Sequence, residues 1–229
     1  MVFYALYGQF PAAIQVSAEK YRTAGVPQGV RIKKVTRQDM PEFPFTGSGI
    51  SRLLQPQLPE VFASIQSAPE CLIITGEVGD PSDLNYLRDV IGLVTYFVDE
   101  GAQAVIDPQK LGLYSSESWY QEIFEPQPPK FLNHAVILVT PELGGIKWIH
   151  TRGLRKFGRP DLSLRGIAPE HEQGAIDLCN RLIILQAEGT RIPEGEEISV
   201  ETLPFPMTCH HAGDPDDPDY NNVHVEIRR

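Results

Sequence analysis

The sequence has little of what marks a secreted or membrane protein. Its three cysteines are an odd number, and Cys71 and Cys179 lie in apolar contexts, which is the usage of a reducing compartment. The longest apolar run, Val90–Val98, is about half a membrane span and is bounded by charged residues, so it predicts a core helix. Met1 leads directly into apolar residues without a basic region, so we expect no signal peptide. We therefore expect a cytoplasmic protein that does not bind membranes.

The chain also lacks a surplus of positive charge. It has 20 Lys and Arg against 30 Asp and Glu, which gives a formal net charge of −10. Proteins that bind nucleic acids hold phosphates with clustered Lys and Arg, so this charge argues against a general nucleic-acid binder. A composition of 41% hydrophobic and 22% charged residues is ordinary for a folded domain and argues against disorder.

The length of 229 residues suits one large domain or two small ones. We expect a single globular unit over residues 1–229. A subdivision into an N-terminal segment, 1–55, and a main domain, 56–229, is the alternative. It is suggested by residues 38–59, whose four prolines and Gly47-Ser48-Gly49 are typical of a linker or long loop.

Apolar runs of strand length alternate along the chain with helical patterns. Strands are predicted at residues 2–7, 30–35, 71–75, 102–107, 134–140, 146–151 and 223–227, with a short edge strand at 162–164. Helices are predicted at 59–68, from the capping sequence Asp80-Pro81-Ser82-Asp83 to Gly101, at 115–124 and at 169–187. Hairpin and crossover signals occur together, so we predict an α+β fold: a mixed β-sheet with helices packed mainly on one face.

A basic segment, residues 150–165, is the strongest candidate for a binding site. Five basic residues fall between positions 152 and 165 against one acid, Asp161, in an otherwise acidic chain. Its glycines let a ligand approach the backbone, and arginine recognises carboxylates and phosphates in a planar, bidentate manner. We predict that it binds a small anion or an acidic partner protein through His150, Thr151, Arg152, Arg155, Lys156 and Arg159. The alternative is internal pairing with the acidic region from Glu188 to the C-terminus.

A second candidate is a metal site at Cys209, His210 and His211, which precede four aspartates. Thiolate, imidazole and carboxylate are all metal ligands, and with His150 they would form a metal-dependent hydrolase. However, the spacing of a zinc ribbon is absent, and the aspartate-rich stretch lacks the central Gly and terminal Glu of a calcium loop. The main prediction is therefore a non-catalytic binding protein with no metal and no cofactor, and it leaves the oligomeric state open.

Gly76 and Gly79 lie between a predicted strand and a predicted helix, where phosphates bind in many α/β proteins. Glu77, Asp80 and Asp83 would repel an anion there, and ordinary turn chemistry explains both glycines. No motif in the sequence identifies a reaction, so the sequence does not decide whether the protein is an enzyme.

Two stretches carry a resemblance to other proteins. One runs from Asp83-Leu84-Asn85-Tyr86-Leu87-Arg88-Asp89-Val90-Ile91-Gly92 through Gly101 to Trp119, and the other is His150-Thr151-Arg152-Gly153-Leu154 with Phe157-Gly158-Arg159-Pro160-Asp161-Leu162. Across residues 70–190 the chain resembles uncharacterised bacterial α+β domains of unknown function. The resemblance implies a bacterial, intracellular protein and no particular activity.

Overall fold

The computed structural model describes residues 1–23, 25–47, 49–77, 83–217 and 219–229. The chain divides into two units: unit 1 holds the described residues of Met1–Gly79 and Leu84–Lys130, and unit 2 holds Asp83 and Phe131–Arg229. Residue 55, where the sequence suggested a subdivision, lies within unit 1. The predicted helix start at Asp80, Pro81 and Ser82, together with Gly79, Ser48 and Pro218, lies outside the described residues.

Unit 1 is built on a five-stranded antiparallel sheet. Its strands are β1 (Val2–Gly8), β2 (Val30–Thr36), β3 (Glu70–Gly76), β4 (Ala102–Asp107) and β5 (Gly112–Tyr114), in the order β2-β3-β1-β4-β5. β1 lies between β3 and β4 in the sheet, so the connection from β3 to β4 crosses over β1. The strand–helix–strand pattern of the sequence therefore forms a split β-α-β unit, in which another strand separates the two strands.

The helices of unit 1 cover both faces of this sheet. They are α1 (Ala18–Tyr21), α2 (Gly49–Leu54), α3 (Pro59–Ser67), α4 (Asn85–Asp99) and α5 (Ser116–Trp119), which continues as a π-helix over Tyr120–Phe124. Because side chains alternate along a strand, Ala5 and Tyr7 of β1 join the core cluster of α3, whereas Tyr4 packs edge-on against Trp119 at 5.6 Å.

Unit 2 contains a six-stranded mixed sheet. Its strands are β6 (Val136–Pro141), β7 (Lys147–Arg152), β8 (Asp161–Ile167), β9 (Glu197–Ile198), β10 (Met207–Ala212) and β11 (His224–Arg228), in the order β6-β7-β8-β11-β10-β9. β8 and β11 are parallel, and all other neighbouring strands are antiparallel. Helix α6 (Glu172–Ala187) packs against β7 and β8.

These elements confirm the α+β class. The strands are distributed over two sheets, one antiparallel and one mixed, instead of a single mixed sheet. The prediction of an edge strand at 162–164 is wrong. β8 is an interior strand between β7 and β11. Its partner β11 comes from a part of the sequence more than 50 residues away, so the local sequence gave no sign of this pairing. No helix in the described part of the chain combines the length and apolarity that crossing a membrane requires.

Two helical glycines provide a matched test of the packing in unit 1. A Cβ on Gly92 of α4 would overlap the backbone carbonyl oxygen of Tyr21, whereas a Cβ on Gly49 of α2 meets nothing within 4 Å. We expect Gly92→Ala to lower the free energy of unfolding by about 1–3 kcal/mol, since overpacking forces the backbone to move. Gly49→Ala should change it by less than about 0.5 kcal/mol. Urea denaturation of both variants measures this, and equal effects would contradict the described packing of α1 on α4.

Candidate functional site

The basic segment forms the end of β7, a tight turn and the start of β8. The turn is a 3-10 helix over Leu154–Phe157, flanked by Gly153 at φ 112° and Gly158 at φ 68°. These are left-handed conformations that glycine adopts without a steric cost. The reversal of the chain therefore depends on both glycines, and it places Arg152, Arg155, Lys156 and Arg159 at one end of the sheet of unit 2, whereas Arg165 lies further along β8.

A buried carboxylate, Asp161, holds this turn in place. Its Oδ1 accepts hydrogen bonds from Thr151 Oγ1 at 2.8 Å and from the Leu154 backbone N–H at 3.3 Å, and its Oδ2 accepts one from Asn222 Nδ2 at 2.8 Å. Burial raises the pKa of Asp161 to about 6, although these hydrogen bonds act to lower it. Sequence reasoning missed this role, and the one available signal was that Asp161 is the single acid among five basic residues.

The two half-exposed arginines of the segment donate to the backbone of a neighbouring loop. We define the acidic loop as residues 213–217 and 219–221, which include Asp214, Asp216, Asp217 and Asp219. Arg152 Nη1 donates to the Asp219 carbonyl oxygen at 2.9 Å, and Arg155 Nη1 donates to those of Pro215 and Asn221 at 2.9 and 2.7 Å. The basic segment therefore contacts the acidic C-terminal region, which is the internal arrangement that the sequence allowed as an alternative.

The other predicted site residues are buried. Arg159 donates to the carbonyl oxygens of Gly158 and Gly189, at 3.1 and 3.3 Å. Lys156 and Thr151 have no exposed surface, and His150 is almost fully buried. Of the six residues predicted to bind an anion, only Arg152 and Arg155 therefore face solvent in part.

An aromatic cluster, Trp148, His150, Tyr220 and His224, lies beside the basic segment. The rings of Trp148 and His150 stack at 3.8 Å, those of Tyr220 and His224 stack at 4.1 Å, and Tyr220 meets His150 edge-on at 5.7 Å. Tyr220 thereby packs the end of the acidic loop against one ring of β7, His150, and one ring of β11, His224. Of these four residues the sequence marked only His150 as a candidate for the site, and Tyr220 lies among prolines and aspartates, a composition typical of a loop.

The Trp148 end of this cluster is held by polar contacts. The guanidinium of Arg165 lies 3.8 Å from the centre of the Trp148 ring and also forms a salt bridge with Glu142 at 2.6 Å. Trp148 Nε1 donates to Ser163 Oγ at 3.0 Å. Arg165, although basic, is therefore engaged in the packing of this face.

The residues of the metal alternative are held by other contacts. Cys209 is fully buried, and burial raises the pKa of its thiol to about 11. The His210 ring bonds Glu194 at 3.0 Å, and His211 Nε2 donates to the Ile192 carbonyl oxygen at 2.8 Å. The described residues contain no group of three or more His, Cys, Asp or Glu side chains that could hold a metal ion. A metal-dependent hydrolase at Cys209, His210 and His211 thus gains no support from this part of the chain.

Elsewhere in unit 1, an open cavity lies at the end of β3. It is lined by Met1, Gly29, Val30, Arg31, Thr75, Gly76 and Glu77. Gly76 is one of the two glycines considered for phosphate binding, and the other, Gly79, lies outside the described residues.

Burial raises the pKa of the Cys71 thiol to about 12, so this cysteine is not an activated nucleophile.

Comparison with known proteins adds no relative: no family model, no curated protein and no solved structure matches the chain. The resemblance to bacterial domains of unknown function stays a prediction. Any assignment of function therefore depends on the α+β fold and on the contacts of the basic segment.

The buried imidazole of His150 generates a pH prediction. Burial, reinforced by Arg152, lowers its pKa from 6.5 to about 4, so the unfolded chain binds a proton between these values that the folded chain does not. The resulting stability is present above pH 6.5 and is lost as the pH falls towards 4. At pH 5 this loss amounts to about 2 kcal/mol, because 1.5 pKa units separate pH 5 from the unfolded value.

We expect His150→Phe to remove that loss while keeping the ring stacked on Trp148, since His150 Nδ1 has no hydrogen-bond partner in the described structure. Urea denaturation of wild type and variant at pH 7 and pH 5 measures it. The raised pKa of Asp161 changes the stability with pH in the opposite direction, but Asp161 is present in both proteins, so its contribution cancels in the comparison. The same pH dependence in both proteins would show that folded His150 takes up the proton freely.

Proposed function

We propose that the protein is a non-catalytic binding protein whose basic segment recognises an acidic polypeptide partner. One observation carries the proposal: Arg152 and Arg155 together donate three hydrogen bonds to carbonyl oxygens of a loop rich in aspartate. The free cysteines, all buried, agree with a cytoplasmic location.

The acidic loop indicates what kind of group the segment selects. A guanidinium offers several N–H donors in one plane, so it can bind backbone carbonyls and carboxylates of an adjacent chain at the same time. The loop presents both kinds of acceptor, as three bonded carbonyl oxygens and four aspartates within eight described positions. An acidic peptide from a partner would offer the same acceptors to Arg152 and Arg155.

If a partner peptide takes the place of the acidic loop, Arg152 and Arg155 exchange hydrogen bonds to carbonyl oxygens of the loop for equivalent hydrogen bonds to the peptide. The net affinity then depends on how much additional negative charge the partner brings, because hydrogen bonds made in exchange for equal ones contribute little. Arg152 and Arg155 are partly exposed, so this charge attraction is screened by salt. We infer weak binding of acidic peptides that weakens further as ionic strength rises.

A small anion is the second candidate ligand. It would use the same two guanidinium groups, but it offers no backbone carbonyls to replace those of Pro215, Asp219 and Asn221. The observed acceptors therefore favour a polypeptide. Inorganic phosphate as a second probe distinguishes the two ligands.

Reversal of both charges tests the proposal. We expect Arg152→Glu/Arg155→Glu to lower the affinity for a fluorescein-labelled aspartate-rich peptide at least tenfold, measured by fluorescence anisotropy at low salt. The matched control is Arg31→Glu/Lys33→Glu, which makes the same charge change at two exposed positions of β2 in unit 1. Circular dichroism and thermal unfolding establish that each variant is folded.

The proposal is overturned if the wild type fails to bind the peptide, or if the control loses as much affinity as the double variant. It is also overturned if wild-type binding does not weaken between 50 and 200 mM salt, about a twofold change in Debye length. That salt series needs no variant, so it remains decisive if the double variant does not fold. Binding of phosphate without binding of peptide would assign the site to a small anion.

A further inference from the structure

The connection between β10 and β11 is longer than its strands require. Ala212 and His224 pair directly at the end of this antiparallel ladder, so the connection consists of residues 213–223. Neighbouring antiparallel strands are usually joined by about two to five residues. The additional residues contribute nothing to the pairing of the strands, and surface loops are where proteins commonly place functional segments. The acidic loop makes up most of this additional length.

The acidic loop folds back over the basic segment. Its carbonyl oxygens accept the three hydrogen bonds from Arg152 and Arg155 described above. One of its carboxylates shapes the loop itself, since Asp217 Oδ1 accepts a hydrogen bond from the Asp219 N–H at 2.9 Å. With the loop in this position, the N–H groups that the two arginines direct towards it are already bonded.

The acceptor that the loop offers to Arg152 is weaker than the one that an acidic partner would offer. Arg152 Nη1 donates to the neutral carbonyl oxygen of Asp219, and the described structure shows no bond from Arg152 to the carboxylate of that residue. A carboxylate adds a negative charge and can accept two parallel N–H groups of one guanidinium, which a carbonyl oxygen does not. A partner rich in carboxylates can therefore compete with the loop for this arginine.

One side chain anchors the acidic loop. Among the described residues of the loop only Tyr220 is buried, with 5% of its surface exposed. Its ring packs against those of His150 and His224. Asn222, which follows the loop, is held separately by its hydrogen bond to Asp161. Loss of the Tyr220 contacts would therefore release the loop and leave the segment that leads into β11 in place.

Both ends of the acidic loop have left-handed backbone conformations. Gly213 has φ 75° and Asn221 has φ 56°. A Cβ on Gly213 would lie 2.7 Å from His224 Nδ1 and 3.3 Å from a carboxylate oxygen of Asp217. Only glycine therefore fits this end of the loop when the loop lies over the basic segment. A larger residue at position 213 would favour a loop that has moved away.

We propose that the acidic loop is an autoinhibitory cover: it occupies Arg152 and Arg155 as an internal ligand, and Tyr220 holds it closed until an acidic partner displaces it. The cover depends on the function proposed above, because it controls access to the same two arginines. A partner can bind only those molecules whose loop has moved away, so the measured affinity is reduced by that fraction. Weakening the hold on the loop should therefore strengthen binding.

Peptide binding by Tyr220→Ala tests the cover. Alanine removes the ring that stacks on His224, so we expect this variant to bind the fluorescein-labelled aspartate-rich peptide at least about fivefold more tightly than the wild type. Fluorescence anisotropy at low salt measures this. Tyr220→Phe keeps the ring and should bind like the wild type. Acrylamide quenching of tryptophan fluorescence should increase in Tyr220→Ala, because Trp148 loses a ring whose centre lies 6.0 Å from its own, whereas Trp119 stays buried.

A second pair of variants opens the loop from its other end. Gly213→Ala places a methyl group against His224 and should also raise the affinity for the peptide. The matched control is Gly144→Ala, at a similar φ of 83° between β6 and β7, where an added Cβ meets no described atom within 4 Å. This control should bind like the wild type. The glycine pair decides if Tyr220→Ala does not fold.

The gain in affinity should depend on the two arginines. Addition of Arg152→Glu/Arg155→Glu to Tyr220→Ala should abolish it, because the freed N–H groups belong to those side chains. A gain that survives this charge reversal overturns the cover, since the peptide would then bind the newly exposed rings.

The cover is also overturned if the wild type binds the peptide and neither Tyr220→Ala nor Gly213→Ala, each shown to be folded by circular dichroism, binds it more tightly. Equal gains in Gly213→Ala and Gly144→Ala would contradict it as well. In both cases the proposed recognition of acidic peptides stands. Absence of binding in the wild type and in every variant would instead overturn the proposed function, and the cover with it.

Discussion

A carboxylate without access to solvent, Asp161, constrains the part of the protein where a function is proposed. Its hydrogen bonds join β7 through Thr151, the glycine-bounded turn through Leu154, and the segment that leads into β11 through Asn222. Burial of a carboxylate is costly, and the donors around it recover part of that cost. Removal of Asn222 would leave Oδ2 without a donor, whereas Oδ1 is shared by Thr151 and Leu154. Because one carboxylate bonds all three segments, they are held together.

The positions of the arginines follow from this constraint. Because Leu154 and Asn222 are tied to the same carboxylate, the turn that carries Arg155 lies beside the loop that ends at Asn221. Tyr220, two residues before Asn222, packs against the rings of His150 and His224. The proposed recognition of acidic peptides therefore depends on a scaffold that is itself assembled around one acid.

The sequence predicted much of the fold, because apolar runs and glycine or proline boundaries act locally. It predicted the strand at 71–75, the apolar helix that contains Val90–Val98, and the strands at 134–140 and 146–151, which pair as β6 and β7. It did not predict that β8 is interior, since that depends on pairing with β11 across more than 50 residues. The same limit applies to the site: the cluster of basic residues is visible in the sequence, but the burial of Lys156 and Arg159 is set by tertiary contacts. Tyr220 lies among prolines and aspartates and gave no signal of packing.

Backbone amide hydrogen exchange of an Asp161→Asn variant tests the role of the buried carboxylate most directly. The asparagine places an N–H₂ group where Asn222 Nδ2 now donates, so at least one hydrogen bond of the network is lost. We predict faster exchange at Leu154, whose N–H bonds Asp161, at Leu162, whose N–H bonds Thr151 Oγ1, and at residues 219–224, with β1 and β3 of unit 1 protected as before. Unchanged protection at Leu154 and at residues 219–224 would contradict the account, because it would show that the turn and the acidic loop are held in place without Asp161.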